Sequence, residues 1–268
     1  MRNVQGETVL ITGGGAGMGL LWAKKFAADG ARLVLWDLNE QALATAAAEL
    51  RAQGAEVLTD VVNVVDRERI YAAAADVQSK TGGVSVLVNN AGVVFAGPLL
   101  DTPDDKLALT LDVDLKALFW TTKAFLPRML ERDHGHIINV ASAAGFIGVP
   151  LMPAYCAAKW GVIGMTESVR LEVARLGKKG VRFTLFCPSF VNTGMFAGAK
   201  PPMLTKLLEP QAVIDIAYRA FKRDQYMVRE PFMVKITPAL KALLPVKLFD
   251  TVSDMLGASQ SMAGWKGH

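Results

Sequence analysis

The sequence predicts an α/β fold, a doubly wound parallel sheet in three layers with helices on both faces, and three observations carry that prediction. Apolar runs of strand length alternate with longer segments of helical period. The strand runs are continuous in Val, Leu and Ile without polar alternation, the pattern of strands covered on both faces by crossover helices. A glycine-rich turn follows the first run directly and opens into a helix, the arrangement such sheets use at their ligand-binding edge. A length of 268 residues suits one large domain of this kind, so residues 1–268 are expected to form a single catalytic unit.

The elements follow in order. Residues 8–12, 32–36, 55–60 and 84–89 read as strands, and 20–29, 40–53 and 67–80 as the helices between them. A long helical stretch covers 104–132, a strand 136–141, a helix 154–175 and a strand 181–186. Beyond Pro188 the regularity fades. Residues 189–210, rich in Gly, Pro, Lys and Met, read as a mobile loop over the carboxyl ends of the strands.

Composition excludes several classes. The hydrophobic fraction of 51% supports a sizeable core, and the charged fraction of 20% is too low for a disordered chain. The net charge of +4 lies wholly in the tail: residues 1–198 hold 19 basic and 19 acidic side chains, residues 199–268 hold 10 and 6. No basic run with interleaved aromatics accompanies it, so no nucleic-acid partner is expected. No stretch reaches the roughly 18 apolar residues of a membrane span, and a polar start leads straight into a strand. Cys156 and Cys187 lie in apolar segments and read as small buried hydrophobes, which fits a cytoplasmic location.

The turn after the first strand reads Thr12-Gly13-Gly14-Gly15-Ala16-Gly17-Met18-Gly19. Glycines admit close approach of a pyrophosphate, and the helix that follows turns free N–H groups toward it. Glycine-rich turns also serve as plain connections, so the context decides. The second strand ends at Asp37, placed to accept hydrogen bonds from the adenosine ribose hydroxyls. A carboxylate there repels the extra phosphate of NADP, and no Arg or Lys in residues 13–19 offsets it, so NAD is the expected cofactor. The competing role for Asp37 is a helix cap, but Asn39 is available for that task.

Tyr155-Cys156-Ala157-Ala158-Lys159 puts a phenol and an ammonium one helical turn apart on one face. A nearby ammonium favours the phenolate, which moves Tyr155 toward proton transfer at neutral pH. Ser142, at the end of a strand, is placed to hold the substrate oxygen beside the phenol. Taken alone, a Tyr-x-x-x-Lys pair is ordinarily a helix-surface pair.

Together these residues resemble the short-chain dehydrogenase/reductase family over essentially the whole chain. The resemblance rests on Thr12-Gly13-x-x-x-Gly17-x-Gly19, Asn89-Asn90-Ala91-Gly92, Ser142 and Tyr155-x-x-x-Lys159. It implies a Rossmann-type fold, Tyr155 as acid/base, Lys159 lowering its pKa and binding the nicotinamide ribose, and Ser142 orienting the substrate oxygen. It also implies cofactor contacts from Gly13, Gly17, Met18, Gly19 and Val191, with Asn90 beside the adenine-side ribose, Asp60 and Val61 against the adenine and Thr193 at the carboxamide. Two positions depart from the family pattern: Asp114 stands where Asn is common, and Pro188-Ser189 replaces Pro-Gly. The expectation at Asp114 is slower turnover, since another negative charge disfavours the phenolate.

The runs 119–127, 134–137, 140–145 and 187–194 are similar to the 17-beta-hydroxysteroid and retinol dehydrogenase branch. That similarity implies a lipophilic alcohol or carbonyl substrate and a homodimer or homotetramer. Several members of the branch carry an amino-terminal hydrophobic anchor, and none is expected here. The substrate pocket is expected from residues 93–99, 143–152 and 189–210.

His134-x-His136 lacks the further ligands of a zinc site, so no metal is expected and the two read as solvated loop histidines. The apolar segment 231–249, part of a C-terminal flap over 231–268, carries Lys235, Lys241 and Lys247 and prolines at 238 and 245. It reads as a flap over the substrate mouth, with peripheral membrane contact as the alternative. NAD-dependent interconversion of a lipophilic alcohol with its ketone or aldehyde is the leading function. A non-catalytic NAD-binding regulator is the rival; a dehydratase or epimerase of extended relatives suits the short carboxyl-terminal part less well.

Overall fold

In the computed structural model, which describes residues 2–267, seven strands form one parallel sheet in the order β3-β2-β1-β4-β5-β6-β7. The strands are β1 (Thr8–Thr12), β2 (Arg32–Asp37), β3 (Val57–Val61), β4 (Val86–Asn89), β5 (Gly135–Val140), β6 (Val181–Pro188) and β7 (Met227–Glu230). β1, β4 and β5 are buried along their whole length, as continuous apolar runs require. β3 alternates because it is an edge strand with one face open.

Helices α1 (Gly17–Ala28), α2 (Glu40–Ala52) and α7 (Pro210–Lys222) cover one face, where Trp22, Phe26, Leu43, Leu50 and Phe221 pack on Ile11, Leu33 and Phe186. On the other face α3 (Arg67–Thr81), α5 (Ala117–Arg132) and α6 (Pro153–Arg175) bury Ile70, Val77, Phe125, Met129 and Val173 against Leu10, Leu87 and Ile137. The strand order turns back between β1 and β4, which opens a crevice at their carboxyl ends.

Several expectations need correction. α1 starts at Gly17, three residues early, because the glycine loop itself enters the helix. The stretch 104–132 is not one helix: α4 (Asp104–Leu111) passes through a π-helical turn, Asp112–Lys116, before α5 begins. α7 and β7 lie beyond Pro188, where the sequence pattern is irregular. Yet α7 buries Val213, Ile214, Ala217, Tyr218 and Phe221, a clean helical stripe. Segment 231–249 forms α8 (Phe232–Leu243), while α9 (Val246–Met255) follows a break at Pro245. His136 is no solvated loop residue. It sits fully buried in β5, its Nε2 2.8 Å from Thr184 Oγ1, and burial pushes its pKa down to about 4. His134 lies on the surface, 3.0 Å from Glu7. Both cysteines are free and buried, and no metal-binding cluster occurs among the described residues.

Beneath the crevice a buried polar chain ties helices to sheet. Thr121 Oγ1 donates to Asn89 Oδ1 (2.7 Å), Asn89 Nδ2 to Asn139 Oδ1 (2.8 Å) and Asn139 Nδ2 to Thr166 Oγ1 (2.9 Å). Each buried amide thereby finds a partner, which fixes α5 and α6 relative to β4 and β5.

Candidate active site

The glycine loop is held from below by Asn90 and Thr12. Asn90 Nδ2 donates to the carbonyls of Thr12 and Gly13 at 3.1 and 3.2 Å, while Thr12 Oγ1 accepts the N–H groups of Asn90 and Ala91. Gly13 and Gly17 adopt positive φ, and a Cβ on Gly19 would lie 1.9 Å from the Gly13 carbonyl oxygen. Asp37 ends β2 beside this loop: its Oδ2 accepts Gly15 N–H at 2.9 Å and its Oδ1 accepts Asn39 N–H at 3.0 Å. Asn39, not Asp37, caps α2, accepting Ala42 N–H at 2.9 Å. Asp60 and Val61 lie in register with Trp36 and Asp37 on the neighbouring strand. Arg69 pairs with Asp60 and also donates to the Val61 carbonyl, placing a cation at this end that the sequence pattern did not reveal.

At the other end, β5 delivers Ser142 just past its last residue and α6 delivers Tyr155 and Lys159. Ser142 Oγ accepts Ala144 N–H at 3.2 Å, which starts the 3₁₀ turn Ala143–Gly145, donates to the Pro188 carbonyl at 3.5 Å, and lines the same cavity wall as the Tyr155 phenol. Lys159 Nζ donates to the Val140 carbonyl at 3.2 Å and lies 3.3 Å from Asp114 Oδ2. Asp114 comes from the π-helical turn, is wholly buried, and its Oδ1 accepts Val93 N–H at 2.7 Å.

The electrostatics reverse one expectation. The Tyr155 phenol is pushed up rather than down, first by burial and then by Asp114, with Ser142 opposing. The ammonium is directed to Asp114 and a backbone carbonyl, with its Nζ 5.3 Å from the Tyr155 ring centre. Burial also raises the Asp114 carboxyl, against the pull of Lys159.

Two cavities meet at these side chains. A narrow cleft of about 30 Å³ is lined by Met18, Asn90, Asp114, Lys159, Val191 and Thr193, among others. A larger apolar cavity of about 130 Å³ is walled by side chains such as Phe146, Met152, Phe190, Met233, Leu240 and Phe249. Ser142, Tyr155, Ser189 and Phe196 line both. Residues 143–152 and 189–210 contribute to the larger cavity as expected, but 93–99 do not. Val94 packs instead into the cluster behind Tyr155, and α8 and α9 supply the remaining wall.

A profile of the short chain dehydrogenases matches residues 7–203. The chain belongs to that family. This dehydrogenase is 43% identical to estradiol 17-beta-dehydrogenase 11 of Homo sapiens over 244 residues, covering 91% of this chain and 81% of that protein. It is 38% identical to epidermal retinol dehydrogenase 2 of Homo sapiens, over 98% of this chain and 86% of that one. It therefore falls in the 17-beta-hydroxysteroid and retinol dehydrogenase branch. Among solved structures it resembles a short chain dehydrogenase/reductase from Burkholderia phymatum in complex with NAD, with TM-score 0.81, 28% identity and coverage of 88% and 93% of the two chains. A metagenomic short-chain oxidoreductase in complex with NADP matches with TM-score 0.73 and 30% identity over 86% of this chain and 100% of that one.

Proposed function

We propose that this dehydrogenase interconverts a lipophilic alcohol and its ketone or aldehyde with NAD, Tyr155 moving the proton. One observation carries the reading: Ser142 and Tyr155 stand at the junction of the apolar cavity and the cleft that leads toward the glycine loop. A reacting carbon in the larger cavity thus sits within reach of whatever fills the cleft.

The residues fit a dinucleotide. A Cβ on Gly19 has no room, Asn90 Oδ1 is buried without a partner, and Gly17 opens α1 with a free helix end. Gly13, Gly17 and Gly19 would border the pyrophosphate, Asp37 the adenosine ribose, Asp60 and Val61 the adenine, and Met18, Asn90, Val191, Thr193 and Lys159 the nicotinamide half. NAD, when bound, supplies or takes up the hydride. Asp37 favours NAD over NADP, since a second anion beside its carboxylate is repelled. Ser142 orients the substrate oxygen, Tyr155 exchanges the proton with that oxygen, and the apolar walls exclude water.

Its similarity to estradiol and retinol dehydrogenases supports a steroid-, retinoid- or fatty-alcohol-like substrate, as does the apolar cavity. Self-association through the outer faces of α5 and α6 belongs to the same reading, supported by exposed Phe119 and Leu171. The test is a nicotinamide-absorbance screen of steroid, retinoid, aliphatic and aryl alcohols and carbonyls with both cofactors, with Tyr155→Phe as control. Turnover with NAD that disappears in the variant is expected; full turnover in the variant overturns the reading. A second reading, a non-catalytic NAD-binding protein, is favoured by the Asp114 carboxylate that engages Lys159. NAD binding without turnover of any of these compounds would select it.

A further inference from the structure

We propose that Asp114 is a positioning residue that pairs with the buried Lys159 ammonium beside the Tyr155 ring, offsets its charge and so shifts the working range of the site to alkaline pH. The inference rests on Tyr155 being the proton-transferring group, and its test is chosen to stand apart from that reading.

The geometry is a clamp on both partners. Asp114 is fixed on one side by Val93 N–H at 2.7 Å and reaches Lys159 Nζ with its other oxygen at 3.3 Å. Lys159 gives a further hydrogen bond to the Val140 carbonyl at 3.2 Å, with its Nζ 5.3 Å from the centre of the Tyr155 ring. Carboxylate and ammonium are both almost wholly buried, so water screens neither. The π-helical turn Asp112–Lys116 carries the carboxylate at this depth; such turns insert an extra residue and re-aim a side chain, often at functional sites.

The charged and titratable surroundings of Tyr155 leave Asp114 the principal negative one. On α6 itself stand Lys159 and Cys156, whose thiol burial pushes up. Ser142 faces the phenol from the end of β5. Behind Lys159 in β6 is Cys187, pushed up to about 12 by burial and thus a neutral thiol at working pH, with Arg229 of β7 beyond it. Phe196, edge-on to the phenol, brings no charge. Asp114 thus opposes the phenolate directly and also neutralises the one cation nearest to it.

Asp114→Asn keeps the size of the side chain and an acceptor for Val93 N–H while removing the charge. The pH at which alcohol oxidation reaches half its limiting kcat/KM is expected to fall by about one unit, a tenfold gain in phenolate at fixed pH. Independently of turnover and of cofactor, the Tyr155 share of the near-ultraviolet phenolate absorbance is read as the difference from the same chain carrying Tyr155→Phe. In Asp114→Asn this step is expected at lower pH than in the native chain. Asp114→Ala, which also gives up the Val93 bond, is expected to shift it in the same direction and serves if the first variant does not fold. A merely structural carboxylate would leave the phenolate step in place. A step that stays put or moves to higher pH overturns the proposal, whereas a shifted step with no alcohol turned over leaves it standing and defeats the functional reading instead.

Discussion

At the scale of single residues, the site separates groups that bind from groups that transfer a proton, and substitutions should separate them too. Tyr155→Phe removes one hydroxyl from a packed ring, so NAD binding measured by fluorescence should persist within a few-fold while turnover falls by about 10²–10⁴, the usual share of a positioned acid/base. Because the phenol is pushed up, oxidation of an alcohol, which needs the phenolate, is lost as pH falls and rises as pH climbs. The pH profile should still be climbing at about pH 10, the ordinary phenol value; a plateau reached near neutrality would contradict the direction. Asp37→Ser removes the carboxylate beside Gly15 and should narrow the preference for NADH over NADPH by tenfold or more, read as the ratio of kcat/KM values. Ser142, Tyr155 and Lys159 were legible in the sequence because their spacing, ordinary when taken alone, falls in the order of motifs by which the chain resembles its family. Asp114 was legible as a departure from the family pattern, but its direct pairing with Lys159 was not: it comes from a π-helical turn, and a one-residue change of register inside a helix leaves no mark in composition.

At the scale of elements, the strands and helices up to β6, apart from the π-helical break between α4 and α5, follow from apolar runs and caps that the chain carries openly. Asn39 accepting Ala42 N–H and Asp66 accepting Arg69 N–H mark two helix starts in a pattern readable without coordinates. Asn39→Ala should therefore cost about 1 kcal/mol of stability in denaturant unfolding. Asp37 would keep its Gly15 contact, so selectivity between the two cofactors should not change. α7 and β7 escaped because the Gly- and Pro-rich loop before them breaks the alternation on which the reading relied, although the apolar stripe of α7 was present in the sequence all along. Likewise, α8 holds Pro238 within its length, a residue that in sequence argues for interruption. The proline tolerated there and the break at Pro245 together turn one apolar segment into two helices that can wall a cavity.

At the scale of the whole molecule, the parallel sheet sets the cofactor half of the site, whereas the carboxyl-terminal helices set the other half. The crevice at the β1/β4 reversal is dictated by strand order. The apolar cavity depends on α8 and α9 leaning over residues 143–152 and 189–210, a long-range arrangement that no local pattern encodes. Binding of a bulky apolar substrate and chemistry at the Ser142–Tyr155 junction should accordingly be separable. Leu244, in the link between α8 and α9, lines the cavity. Leu244→Asp sets a charge against the space a hydrocarbon would occupy, and the apolar wall offers it no partner. A loss of about 1–3 kcal/mol of apolar binding corresponds to a KM roughly 10–200-fold higher for a steroid- or retinoid-like alcohol. A short aliphatic alcohol that does not reach the wall should keep its KM, and kcat for both should stay within a few-fold, since the reacting groups are untouched. Equal losses for the long and the short alcohol would show that α8 and α9 support the fold rather than receive the substrate.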